Sequence, residues 1–436
     1  MRIVKYIKNA QLEIDHQPVP STEVVITLLL GTMLLAFIVS QKVRQPYTLV
    51  LVFAGILLAA SSVSSVAGFN TIYGQLVTGG LFVGLVLPPL LFESMMDISS
   101  SEFRAIARPA LSLATVGVVV ATVVTGLFLW KALGVPFYPS FLFAALISPT
   151  DTATVLEVFK RVNVPNRLAR MMETEAGFND ATGITIFAII LASMTTSSLS
   201  LTSVFIDFLW IFGGGVLVGL GVALASRLLL RVLNDPIAEC ILTLAAVFGS
   251  YSVAEGLGAS GLVAVSITGL TYGIIWAADE SRRHREVLRN FWRILAFLAN
   301  SIAFLTIGLA TDLSNIIEFI IPIVIVFGAV LLARFVSVYS ILGLIGIEKT
   351  RFPGSWKVTA TLGGVRGAVS IVLAASLPAS LADGDLLHTA VLGVSFISIV
   401  AQAYLLSRYA RAKFATTTSS SRAAIGPESS VAPTST

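Results

Sequence analysis

The residues that could do chemistry in this chain are charged side chains standing where a charge is costly. Glu93, Asp151, Glu157, Glu173, Glu175, Asp180, Asp207, Glu239, Glu255, Glu318, Arg334 and Arg366 all fall within or at the ends of long apolar runs. A charge at the centre of a bilayer costs about 2.5–3.5 kcal/mol on insertion scales, so an ionisable residue at membrane depth is a functional candidate by default. Glu157, Glu173, Asp207, Glu255 and Glu318 stand near the ends of their runs and read as interfacial side chains that reach water. Glu239 lies one turn inside its run and reads as near-surface.

The deeper charges form a pattern. Asp151 sits in Ser148-Pro149-Thr150-Asp151-Thr152-Ala153-Thr154. Pro149 removes a backbone donor and crowds the preceding turn, and the neighbouring hydroxyls can satisfy the freed backbone groups. This reads as a broken transmembrane helix, whose carbonyls can hold a cation; the plainer alternative is a proline kink with a paired aspartate. A second interruption follows in Thr361-Leu362-Gly363-Gly364-Val365-Arg366-Gly367-Ala368-Val369-Ser370. Between them lies Glu175-Ala176-Gly177-Phe178-Asn179-Asp180. On a helix Glu175 and Asn179 share one face, whereas Asp180 is rotated about 140° from Glu175. One acid can therefore be permanently paired while the other stays available. Arg334, deep in Leu331-Leu332-Ala333-Arg334-Phe335, is the natural partner for Glu175.

The elements that position these groups must be membrane helices. Of the 436 residues, 56% are hydrophobic and 12% charged, half the roughly 25% charge of soluble domains. A spanning helix needs about 20 mostly apolar residues, and such segments lie near 22–40, 47–67, 77–96, 109–131, 137–159, 168–195, 201–225, 236–255, 259–278, 291–311, 314–345, 356–381 and 387–408. Basic residues fill every second loop: Lys42 and Arg44; Arg104 and Arg108; Lys160, Arg161, Arg167 and Arg170; Arg227 and Arg231; Arg282 to Arg293; Lys349, Arg351 and Lys357; Arg408, Arg411 and Lys413. Positive loops face the cytoplasm, so this alternation predicts an odd number of helices, about thirteen, with the C-terminus cytoplasmic. Arg2, Lys5 and Lys8 argue weakly against an outside N-terminus. Segments five and twelve each become the fifth helix of a six-helix half if segment seven is a linker. Interrupted helices at matching positions point to an inverted-repeat transporter; the symmetry rests on position alone. Residues 279–293 read as a basic loop continuing into a helix, or as a stretch lying on the membrane surface. Residues 1–21 read as a polar extramembrane segment without a cleavable signal, and 414–436 as a disordered Ser/Thr/Pro-rich cytoplasmic tail. Cys240 stands alone, which excludes an intrachain disulfide and a cysteine metal site. The net charge of +4 lacks the clustered basic face that nucleic acid requires.

Together these motifs resemble the monovalent cation:proton antiporter family, in the branch holding the NhaP proteins and the animal sodium/proton exchangers. The resemblance covers roughly residues 22–411. Its most specific element is the Glu-x-x-x-Asn-Asp pattern of Glu175, Asn179 and Asp180. Leu87-Pro88-Pro89-Leu90-Leu91-Phe92-Glu93, Pro149-Thr150-Asp151, Ala333-Arg334-Phe335 and Gly363-Gly364-Val365-Arg366-Gly367-Ala368 match the family's third, fifth, eleventh and twelfth helices in order. The resemblance implies an all-α membrane protein of thirteen helices, built as two inverted six-helix repeats with discontinuous helices 5 and 12 crossing at mid-membrane. It implies a transmembrane domain over 22–413, with a core bundle of helices 4–6 and 11–13 and a dimerisation scaffold of helices 1–3 and 7–10. It further implies a homodimer in the plasma (inner) membrane that exchanges one monovalent cation, Na+ and also Li+, for one proton without net charge movement, with no cofactor. K+/H+ exchange is the near alternative. The resemblance places the cation on Asp180, Asp151 and the Thr150 carbonyl. Glu93 lines the approach, Glu175, Asn179 and Arg334 support the site, and Arg366 offsets charge where the broken helices meet. One position departs: relatives commonly carry serine where this chain has Ala176, so a ligand must come from water or from another residue such as Thr152.

Three other classes fit less well. An intramembrane aspartyl protease would place its second aspartate in Gly-x-Gly-Asp, and the nearest match, Ala382-Asp383-Gly384-Asp385, lacks the first glycine. A carrier of organic solutes would need a roomier site with aromatic and several polar contacts, and nothing resembles the carbonyl filter of a channel. His16, His284 and His388 fall in loops or at helix ends and read as solvated rather than as pH sensors.

Overall fold

Apolar runs punctuated by proline and glycine dictate an architecture of helices, some of them cut short. The computed structural model describes residues 22–61, 82–162, 164–196, 201–278, 284–311, 313–348, 352–375 and 384–414, and all regular elements among them are helical. The N-terminal segment with His16, the tail from 415 onward, and Arg282, Arg283, Lys349, Arg351, Ala382 and Asp383 lie outside the described residues.

In chain order the helices are α1 (Thr22–Val43), α2 (Tyr47–Ala60), α3 (Phe82–Met96) and α4 (Ser100–Ala132). Then follow α5 (Phe137–Ile147), α6 (Ala153–Arg161), α7 (Asn166–Thr196), α8 (Leu201–Leu230), α9 (Pro236–Gly256), α10 (Gly261–Ala278) and α11 (Arg285–Ala310). Next are α12 (Leu313–Glu318), α13 (Ile320–Glu348), α14 (Gly354–Leu362) and α15 (Ala368–Ala375). The last, α16 (Gly384–Ile397), runs on through a π-helical turn at Ser398–Gln402 into Ala403–Phe414. Eight of these helices are long and apolar enough to cross a membrane. Four more, α2, α3, α5 and α10, are apolar but shorter. The protein is an integral, multi-pass membrane protein.

The ends of the helices follow local chemistry. Ser99 and Glu102 form a reciprocal capping box at the start of α4. Asp235 caps α9 by accepting from the amides of Ile237 and Ala238, with Pro236 in the first helical position. The segment read as 137–159 is cut after Ile147, where Ser148 donates back to the Ala144 carbonyl at 2.6 Å and Pro149 follows. The basic stretch before residue 293 is helical from Arg285, continuous with the apolar remainder of α11.

Packing uses small residues where helices approach closely. Gly55 of α2 and Gly308 of α11 face each other, and a Cβ on Gly55 would lie 2.5 Å from the Leu305 carbonyl oxygen. Between apolar helices in lipid, such backbone approach replaces the hydrophobic drive that water would supply. Elsewhere α3 packs on α10, α8 on α9 and α10, and α4 on α5, α7 and α13. Polar contacts gather the basic helix ends at one end of the bundle. Arg289 at the start of α11 binds Asp97 after α3 at 2.7 Å. Arg161, closing α6, donates to the carbonyls of Arg44 at 2.6 Å and Gln45 at 2.9 Å, after α1. Arg170 of α7 lies 3.9 Å from Glu102 of α4.

Candidate functional site

The two interrupted segments meet. Between α5 and α6 residues 148–152 leave the helix, and between α14 and α15 residues 363–367 do the same. The Asp151 amide donates to the Val365 carbonyl at 2.7 Å, joining the links directly. Helix ends leave orphan carbonyls and amides that must find partners, and here each link serves the other. Arg366, 2% exposed, donates through Nη1 to the carbonyl of Ser148 and, at 3.1 Å, to that of Pro149. A cation thus sits at the carbonyl end of α5, where the helix dipole favours it. The Arg366 amide donates to Ser398 Oγ at 3.0 Å, tying the crossing to the π-helical turn of α16.

Asp151 turns its carboxylate onto its own chain: Oδ1 accepts from the Ala153 amide, the first residue of α6, at 2.8 Å. Gly367 lies against it. A Cβ at that position would overlap the Asp151 carboxylate, so the second link can approach the aspartate only as glycine. Asn179 of α7 holds the first link, its Nδ2 donating to Thr150 Oγ1 at 2.8 Å and to the Thr150 carbonyl at 3.1 Å.

Glu175 and Arg334, paired on the basis of sequence, form a bidentate contact with Nη1 on Oε1 and Nη2 on Oε2, the latter at 3.0 Å. Arg334 also donates through Nε and Nη2 to the Ala360 carbonyl of α14 at 3.3 and 3.2 Å. Glu175 is 1% and Arg334 4% exposed, so both charges are neutralised inside the protein. Two buried ions repay their desolvation only with such complete geometry.

Asp180 is not part of that pair. It lines a cavity of about 450 Å³ together with Asp151, Thr150, Thr152 and Glu93, and the Asp151 charge acts on it electrostatically. The cavity reaches from these groups to exposed Gln41, Lys160 and Arg161, at the end of the bundle where the basic residues gather. The structure therefore places the sequence-nominated residues in two sets. Asp180, Asp151, Thr150, Thr152 and Glu93 face the cavity, whereas Glu175, Asn179, Arg334 and Arg366 are buried behind it.

Glu157 and Glu173, read as interfacial, and Glu239, read as near-surface, are each engaged by protein contacts. Glu173 lines the cavity, its side chain 15% exposed and bound to Arg170 at 2.9 Å. It stands seven residues before Asp180, with Ala176 and Gly177 between them on the same face of α7. That spacing was the signal available in the sequence. Glu157 also lines the cavity and accepts from the Tyr47 amide at 2.7 Å, capping α2 from α6. Glu239 is 7% exposed, with Oε1 3.2 Å from His284 Nδ1; the loop residue and the near-surface acid are partners. Ser370, lining the cavity from α15, was not singled out, because a serine in an apolar helix carries no signal by itself.

A helical membrane bundle with two interrupted segments meeting beside buried acids is the architecture of secondary transporters. The sequence profile described as "Sodium/hydrogen exchanger, transmembrane" matches residues 25–412, and the chain belongs to that family. It is 31% identical over 367 residues to the low-affinity Na(+)/H(+) antiporter NhaS1 of Synechocystis sp., covering 82% of this chain and 68% of the relative. It is 31% identical over 383 residues to the Na(+)/H(+) antiporter ApNhaP of Aphanothece halophytica, covering 87% and 72%. In fold it resembles the sodium proton antiporter MjNhaP1 of Methanocaldococcus jannaschii at pH 8, with a TM-score of 0.73, 23% identity, and coverage of 90% of this chain and 99% of that one.

Proposed function

We propose that this protein is a secondary active transporter that exchanges Na+, and also Li+, for H+ by alternating access. The observation that carries this reading is the pair Asp151 and Asp180 facing one cavity beside two interrupted helices. The names of the relatives point the same way.

In this reading the cation is held by the carboxylates of Asp180 and Asp151 and by the Thr150 carbonyl, which Asn179 orients. Glu93 lines its approach. A sodium ion and a proton neutralise the same carboxylates, so each displaces the other. The doubly charged unloaded pair is costly to move through a dry barrier, so loaded forms move and exchange results. Glu175 is committed to Arg334 and Arg366 to the carbonyl end of α5, which leaves the two aspartates to carry the ions. One-for-one, electroneutral stoichiometry rests on the family resemblance.

The same reading assigns thirteen spans, with α5–α6 and α14–α15 as the discontinuous fifth and twelfth, in two inverted six-helix repeats. Spans 4–6 and 11–13 form the moving core over a scaffold of spans 1–3 and 7–10, which also holds the homodimer contact. By the positive-inside rule the basic end is cytoplasmic, the C-terminus lies there, and the cavity opens inward in the plasma membrane.

The test is reconstitution into sealed liposomes with an acidic lumen, following lumenal pH as Na+, Li+ or K+ is added outside, with and without a clamped membrane potential. Alkalinisation driven by Na+ and Li+, unaffected by the clamp and absent from Asp180→Asn, supports the reading. Sensitivity to the clamp would overturn the one-for-one stoichiometry. Silence with every cation from folded protein would overturn the transport reading itself.

A further inference from the structure

We infer that the Ser370 hydroxyl is a cation ligand of this site and sets its affinity for the transported ion. The inference rests on the antiporter reading above and extends it to a residue from the twelfth span.

Five buried side-chain polar atoms among the described residues have no hydrogen-bond partner: Thr174 Oγ1, Asn179 Oδ1, Arg366 Nε, Ser370 Oγ and Ser395 Oγ. Of the residues that carry them, Ser370 alone lines the cavity of Asp151 and Asp180. It is 1% exposed. A buried hydroxyl without a partner costs about 1–3 kcal/mol, and other buried hydroxyls of this protein find one in their own helix. Ser193, Ser266, Thr268 and Thr311 each donate to the carbonyl four residues back: Ser193 to Ile189 at 2.7 Å, Ser266 to Leu262 at 2.9 Å, Thr268 to Ala264 at 2.8 Å and Thr311 to Ile307 at 2.7 Å. Ser370 lacks that outlet because α15 begins only at Ala368. Its fourth residue back, Arg366, belongs to the link that packs on the other interrupted segment.

The position is right for a shared ligand. Gly367, one residue before α15, touches the Asp151 carboxylate, and Ser370, three residues further, lines the same cavity as both. In the same lining, α7 contributes Ala176 and Gly177 along with Asp180, and neither Ala176 nor Gly177 has a side-chain oxygen. Thr150 Oγ1 already accepts from Asn179. A small hard cation entering this cavity strips water and takes oxygen ligands in its place. A hydroxyl oxygen has two acceptor lone pairs and a proton that can rotate toward a carboxylate, so Ser370 can bind the ion and donate to Asp151 at once.

The experiment compares wild type, Ser370→Ala, Ser370→Thr and Ala176→Ser/Ser370→Ala in the liposome assay, reading the half-saturating Na+ and Li+ concentrations and the maximal flux at fixed pH. Loss of one ligand is expected to raise the half-saturating Na+ concentration about fivefold in Ser370→Ala. The maximal flux should stay within about twofold, and the Na+-to-Li+ ratio should change, because a lost ligand weighs differently on ions of different radius. Ser370→Thr and the double variant, which return a hydroxyl from either wall, should recover most of the loss. If Ser370→Ala fails to fold, Ser370→Cys keeps the shape with a poor ligand for a hard cation and should show the same shift. Half-saturation within twofold of wild type for both ions would overturn the inference while leaving antiport standing. So would a threonine variant no better than alanine, which marks a packing effect. A wild type inert to every cation would overturn both readings.

Discussion

Two acids five residues apart on α7 have opposite fates. Glu175 is locked by Arg334 and Asp180 faces the cavity. They should therefore fail differently when changed. Asp180→Asn keeps shape and hydrogen-bonding capacity but removes the charge for which, in the proposed mechanism, a cation and a proton compete. We expect a protein that purifies and melts like wild type and shows no cation-driven proton flux in liposomes. Glu175→Gln leaves the Arg334 guanidinium buried without its counter-charge, a change that costs about 3–5 kcal/mol. It should lower the melting temperature in detergent by several degrees or prevent accumulation of folded protein. Equal melting of Glu175→Gln and wild type would remove the pair from the structural role.

The proposed competition at these carboxylates also fixes a sign for pH. A proton on the aspartates excludes the cation, so acidification weakens cation binding and alkalinisation strengthens it. Below the pH at which the site takes up its proton, one-for-one competition raises the half-saturating Na+ concentration by about tenfold per pH unit, because proton concentration rises tenfold. Flux measured across a pH series at several Na+ concentrations gives that slope. A half-saturation constant independent of pH contradicts a shared site.

At the scale of elements, the crossing depends on glycine at one point above others. Gly367 touches the Asp151 carboxylate where any Cβ would overlap it. Gly367→Ala should push the two links apart, at about 1–3 kcal/mol of strain, and abolish transport by displacing Asp151 while most of the helices remain folded. Circular dichroism and melting separate this from global misfolding, and full activity in Gly367→Ala contradicts the geometry.

The breaks at this crossing were readable from the sequence because proline and glycine act locally: Pro149 and Gly363 to Gly367 interrupt the helix wherever they stand. The Glu175–Arg334 pairing was readable because an unpaired charge in an apolar run demands a partner. Glu157, Glu173 and Ser370 were not readable in the same way. Whether a side chain near the end of a run reaches bulk water or a cavity depends on which helix faces pack together, and that is set by contacts across more than a hundred residues, such as Glu157 with Tyr47. The π-helical turns at Phe82–Val86, Leu113–Gly117 and Ser398–Gln402 carry no composition that separates them from ordinary helix.

At the scale of the whole molecule, the cavity and the basic helix ends share one end of the bundle, and this makes orientation and access one question. In alternating access, α6 must part from the turn between α1 and α2, where Glu157 caps α2 and Arg161 binds the carbonyls of Arg44 and Gln45. While those contacts hold, the aspartates communicate with the basic end. Cys240 is the sole cysteine, so a Cys240→Ser background permits a single reporter. Ser94 of α3 lines the cavity and is not among the proposed ion ligands. In that background Ser94→Cys should react with a membrane-impermeant thiol reagent at least about tenfold faster in everted vesicles than in right-side-out ones, if the basic end faces the cytoplasm as proposed. Adding Arg161→Ala removes the contact between α6 and the α1–α2 turn and, if that contact holds the inward-open state, should narrow the difference by shifting the population toward the opposite state. Faster labelling from outside in the single-cysteine protein would reverse the assigned orientation. An unchanged ratio in Arg161→Ala would show that the contact between α6 and the α1–α2 turn does not hold the inward-open state.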